Sequence, residues 1–177
     1  MKKIFVLILI LYISNNLYSQ EKDKIFIGMT MSEFKNIYPD VIPANAASTG
    51  QWGRADTLIG LAGNWSYNFK EGKLEWCLWN MYLPELSSEN FNKCLQSTKL
   101  LIVKYAIDYG KPFEVNVVDT IYHDPYVSRH WGYDVIDAKW KTDNLKFKIE
   151  FTFMGGKGYY NFLVTMNFFD ISYPYFE

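Results

Sequence analysis

The sequence predicts an α+β protein: an antiparallel sheet with a short and a long helix packed on one face. Three observations lead there. Residues 88–109 carry apolar side chains at i, i+3, i+4, i+7 spacing over about six turns. Leu145, Phe147, Ile149, Phe151 and Phe153 alternate with Lys146, Lys148, Glu150 and Thr152, the period of a half-buried strand. The elements also come in the order helix, strands, longer helix, strands, which segregates the helices from an antiparallel sheet.

The first helix announces itself by its cap. Thr30 is a good N-cap, Glu33 can close a capping box, and Met29 and Phe34 stand at the two staple positions. Pro39 limits this helix to barely two turns, with Phe34, Ile37 and Tyr38 as its apolar face. Residues 40–56 are small, polar and punctuated by Gly and Pro, and read as a loop.

A hairpin follows. Trp65, Tyr67 and Phe69 alternate with polar residues, Glu71-Gly72 supplies a tight turn, and Leu74, Trp76 and Leu78 resume the alternation. The second strand, Lys73 to Leu83, also carries Cys77, Trp79, Met81 and Leu83 on its other face. Pro84 ends it, and Ser87 or Ser88 caps the long helix, a rod of about 33 Å that is expected to lie across the sheet. Its stripe runs through Phe91, Cys94, Leu95, Thr98, Leu101, Ile102, Tyr105, Ala106 and Tyr109 to a Gly110 stop. Strands are predicted from Phe113, over 134–140, over 145–153 and over 159–169. Each half runs from a helix into a meander, so residues 25–83 and 84–170 read as a degenerate tandem repeat.

The N-terminus reads as a secretory signal peptide, residues 1–20. Lys2 and Lys3 precede an apolar run from Ile4 to Ile13, and Leu17-Tyr18-Ser19 offers a small residue before the cut. Ten apolar residues make a helix of about 15 Å, half the ~30 Å core of a bilayer, so no membrane anchor is expected. The first cysteine is Cys77, far from the position a lipid-bearing cysteine would occupy. Residues 21–177 then form one α+β domain that is exported to the periplasm or beyond the cell. Lys2 and Lys3 leave with the leader, so 16 basic residues face 19 acidic ones. A weakly acidic chain of this kind is not expected to bind nucleic acid.

Chemistry is sparse. His123 and His130 are flanked by Asp119, Asp124 and Asp137, and Asp119, His123, Asp124 and His130 could converge on a divalent metal, but their spacing matches no compact ligand pattern, so no metal site and no cofactor is assigned. No nucleophile elbow, P-loop or dinucleotide fingerprint occurs, and no catalytic residue is assigned. Gly155-Gly156-Lys157-Gly158 joins two strands and reads as a turn. Cys77 and Cys94 are an even pair in an exported chain and a candidate disulfide. Strand and helix rises leave them offset by about 10 Å, so bridging needs a favourable crossing angle, and two separate buried thiols fit equally. Asp56-Thr57-Leu58 and Asp119-Thr120-Ile121 resemble the short acceptor motif of a bacterial periplasmic O-glycosylation system.

Ile27-Gly28-Met29-Thr30 entering a short helix, with Trp65-Ser66-Tyr67 later on a strand, resembles the small outer-membrane-assembly proteins of the SmpA/BamE type. The second unit, ending its helix at Tyr109-Gly110-Lys111-Pro112 before strands, is similar to the tandem helix-plus-meander β-lactamase-inhibitor-protein fold. The resemblance implies a fold and a non-catalytic, protein-binding role. Six Trp, 14 Tyr and 13 Phe leave room for a binding surface as well as a core. Trp65, Tyr67, Trp76 and Trp79 are the candidate binding residues, either as core under the long helix or as an exposed face. Two functions follow: a protein-interaction module, such as an inhibitor or accessory subunit, or a carbohydrate- or small-ligand-binding domain using these aromatics.

Overall fold

The computed structural model describes residues 27–44, 50–83, 85, 87–117, 133–156 and 159–173. Among the described residues two helices, α1 (Met31–Ile37) and α2 (Ser88–Tyr109), accompany eight strands. These are β1 (Ile42–Pro43), β2 (Gln51–Leu58), β3 (Leu61–Lys70), β4 (Lys73–Leu83), β5 (Glu114–Val117), β6 (Tyr133–Lys141), β7 (Leu145–Gly156) and β8 (Tyr159–Asp170). All pair antiparallel in one sheet of order β1-β2-β3-β4-β8-β7-β6-β5. Each half of the chain is a helix followed by a four-stranded meander, and the halves join where β4 pairs with β8.

The caps form as their residues require. The Thr30 hydroxyl accepts from the Glu33 N–H, and the Thr30 N–H donates to Glu33 Oε2 at 2.7 Å, closing the box at α1. Ser87 caps α2 by accepting from the Asn90 N–H at 3.1 Å. Glu71-Gly72 and Ile59-Gly60 have φ of 51°, 77°, 49° and 74°, the paired positive values of two-residue hairpins that match strand twist.

One face of the sheet carries both helices and the core. Phe34 of α1 meets Tyr67 and Phe69, while α2 lies over β6, β7 and β8. Its inner residues Cys94, Thr98, Leu101 and Tyr105 are buried, and beneath them Phe147 and Phe168 stack with centroids 5.2 Å apart. Trp140 stacks on Phe147 and ties down the end of α2 by donating its indole N–H to the Gly110 carbonyl at 2.8 Å.

Two expectations are corrected. Residues 40–56 hold β1 and most of β2: β2 presents Trp52, Arg54, Asp56 and Leu58 to the core side, where an Arg54–Asp56 ion pair of 2.9 Å takes the place of hydrophobic alternation. Ile37 is exposed, because only Phe34 and Tyr38, four residues apart, face the sheet from so short a helix.

Candidate functional site

Three of the four aromatic candidates belong to the core. Trp65, Tyr67 and Trp79 are at most 1% exposed on the helix-bearing face, which removes them from any ligand surface. The reason is register: Trp65 pairs with Trp79 and Tyr67 with Cys77, so all follow the buried parity of β3 and β4. Trp65 donates its indole N–H to Asp56 at 3.1 Å, and burial raises the Tyr67 hydroxyl far above its usual range. Trp76 has the opposite parity and stands, partly exposed, on the face without helices.

Cys77 and Cys94 are free, buried thiols. Cys77 sits beside Phe168, which Tyr105 covers, and Cys94 lies roughly 16 Å nearer the start of α2 than Tyr105. With α2 over β6–β8 and Cys77 on β4, the two thiols stand apart, and the candidate bridge is not made. Burial pushes the Cys94 thiol up to about 11 and the Cys77 thiol well above its ordinary value. Neither is disposed to act as a nucleophile. Asp119, His123, Asp124 and His130 lie outside the described residues, and Asp137 is buried on β6. Among the described residues no three His, Cys, Asp or Glu side chains converge as metal ligands. Of the two Asp-Thr motifs, Thr57 is exposed while Asp56 is engaged by Arg54 and Trp65, and the second lies outside the described residues.

The helix-free face is polar at its centre. Thr165 Oγ1 donates to Glu150 Oε1 at 2.8 Å, Asn167 Nδ2 donates to the same oxygen at 3.3 Å, and Lys148 pairs with Glu150. Towards β5, Lys139 Nζ lies 2.7 Å from Glu114 Oε1, and this bond with that from Asn116 holds the Glu114 carboxyl below its ordinary value. At the end of the face where β4 and β8 pair through Trp76 and Phe169, Tyr173 stacks on Phe169 with centroids 4.8 Å apart.

Like charges stand directly opposite each other on β6 and β7. Asp137 faces Glu150, Lys139 faces Lys148, and Lys141 faces Lys146. Sequence reading missed this arrangement, although Lys139-Trp140-Lys141 and Lys146-Phe147-Lys148 mirror one another about a turn at 142–144.

A second surface lies on the helix-bearing side. Nine large hydrophobics are exposed among the described residues, and six of them are Leu100, Val103, Ile107, Phe113, Val115 and Val117. At 100° per residue, Leu100, Val103 and Ile107 fall within an arc of about 60° opposite the buried stripe. Val115 and Val117 pair with Ala138 and Ile136, which face the core, so they share its side of the sheet. They stay uncovered because α2 packs over β6–β8 and stops short of the edge strand. No helix among the described residues is long and apolar enough to cross a membrane. Compared with protein-family models, characterised proteins and solved structures, the chain matches none.

Proposed function

We propose that this chain is an exported, non-catalytic module that binds another protein through the apolar strip of α2 and β5. The observation that carries the reading is the clustering of exposed aliphatic and aromatic side chains at Leu100, Val103, Ile107, Phe113, Val115 and Val117. Scattered surface hydrophobics need no explanation, but a concentration of them on one helix and the adjoining edge strand marks an association surface. The occupant is a partner with a complementary apolar surface, since Lys104 and Asp108 beside the strip pair with each other at 3.3 Å. Export rests on the order of charge, apolar run and small residue in residues 1–20.

A photo-reactive residue at Val103 or Ile107, with Thr57 as a control on the opposite face, tests the binding reading. Purified protein is irradiated with the exported proteins of its host, and the captured partner is then purified and titrated. The expected result is one shared partner at both positions, competed by unlabelled chain, bound in a fixed ratio and lost on Ile107→Glu. Adducts between copies of this chain, or none above the Thr57 control, overturn it. Export is checked by intact mass: the mature chain begins at Gln20 or Glu21, and a full-length N-terminus outside the cytoplasm overturns that part.

A further inference from the structure

We infer that the helix-free face holds a binding site for an acidic sugar residue of an oligosaccharide, independent of the apolar strip on the other side. The site is one row across the strands: Trp76 on β4 pairs with Phe169 on β8, Phe169 with Lys146 on β7, and Lys146 with Lys141 on β6. Cross-strand neighbours in a row share a face and lie about 4.8 Å apart, so the backbone at Trp76 stands about 10 Å from that at Lys146, within the span of an oligosaccharide.

The charge pattern says what belongs there. Directly opposed like charges destabilise a sheet. The other two opposed pairs on β6 and β7 are relieved from within the protein. Glu150 takes Lys148, Glu114 takes Lys139, and Asn116 donates to Asp137 at 3.4 Å. Lys141 and Lys146 end the ladder, and neither has an ion-pair partner within 4 Å among the described residues. Asp170, which feels the charge of Lys146, is itself held by the Ser172 hydroxyl and N–H at 2.5 and 2.8 Å. Asp170 eases the repulsion from a distance without closing an ion pair, and a carboxylate or sulfate from a ligand relieves it directly.

The remaining groups select a sugar over other anions. Trp76 stands partly exposed on this face, and its indole is a surface of the kind that takes the C–H face of a pyranose. Asn68, next in the row beyond Trp76, commits its amide N–H to Glu75 at 3.2 Å and keeps its amide oxygen to accept from a ligand hydroxyl. Two lysines without an ion pair among the described residues suit one acid group. They are too few for a nucleic acid strand or an anionic membrane, which need many phosphate contacts or a polybasic cluster.

Calorimetric titration of the folded protein with a galacturonic acid tetramer and a chondroitin sulfate tetramer tests this, with a neutral galactose tetramer, inorganic sulfate and vesicles containing anionic lipid as comparators. At least one acidic tetramer is expected to bind, with the neutral tetramer and sulfate at least tenfold weaker. Lys141→Gln with Lys146→Gln, and separately Trp76→Ala, each reduce that binding at least tenfold. Lys141→Gln alone also raises the melting temperature of the unliganded protein, which shows that the variant is folded and that the repulsion is real. Absence of binding by both acidic tetramers, equal binding of sulfate or vesicles, or binding indifferent to the lysine substitutions overturns the inference.

Discussion

The indole of Trp79 lies across Gly63 on the neighbouring strand, so close that a Cβ on Gly63 would stand 2.5 Å from the ring and 2.5 Å from the Asn80 carbonyl oxygen. The absence of a side chain on β3 is what lets β4 lay its largest residue flat in the core. Gly63→Ala is therefore expected to destabilise the fold by about 1–3 kcal/mol or more, the range for an overpacked interior. Ala62→Ser, exposed on the other face, leaves stability within about ±0.5 kcal/mol. Urea midpoints of the two variants check the contrast.

Leu101 sits in the middle of the α2 stripe at 1% exposure. Leu101→Ala should cost about 2–5 kcal/mol, whereas Lys99→Ala, on the exposed side, stays within about ±0.5 kcal/mol. Equal losses would mean that the helix does not present this stripe to β7 and β8.

Acid should loosen the fold through specific carboxylates. Asp170 is held below its ordinary value by the Ser172 hydroxyl and then by the Ser172 N–H, and Glu33 by the Thr30 N–H and hydroxyl. A carboxyl depressed in the folded state contributes stability above its unfolded value and loses it as pH falls through the folded one. Urea midpoints measured from pH 7 down to pH 3 should fall, and Asp170→Asn should flatten part of that decline. An unchanged slope in the variant would remove Asp170 from the account.

The alkaline limb has the opposite sign. Cys94 is raised to about 11 by burial, and burial also raises Cys77 well above its ordinary value, so the folded chain keeps thiols protonated where the unfolded chain ionises them. A raised group stabilises fully below its unfolded value and loses that contribution as pH climbs towards the folded one. Stability should therefore decline above about pH 9, less steeply in Cys94→Ala. Thiol counting in denaturant without reductant should find two free thiols per chain, and a count of zero would show a bridge that the register of β4 and α2 does not provide.

Much of the architecture was legible because it rests on local chemistry. The Thr30–Glu33 box, the Ser87 cap, the α2 stripe, the Glu71-Gly72 turn and the alternation of β7 each follow from residues within a few positions of one another. β2 was not legible, because its inward side chains include Arg54 and Asp56, whose burial depends on pairing with each other and with Trp65. Which aromatics face a ligand was not legible either. Trp65, Tyr67, Trp76 and Trp79 are equivalent as composition, and only the pairing of β4 with β3 and β8 buries three of them on the helix-bearing face and leaves Trp76 on the other. A strand has two faces and a one-residue shift exchanges them, so exposure is decided by register and by what packs on top. The same holds for Lys141 and Lys146: the sequence determined that lysines alternate on both strands, and the tertiary structure decided that they meet face to face beside Phe169.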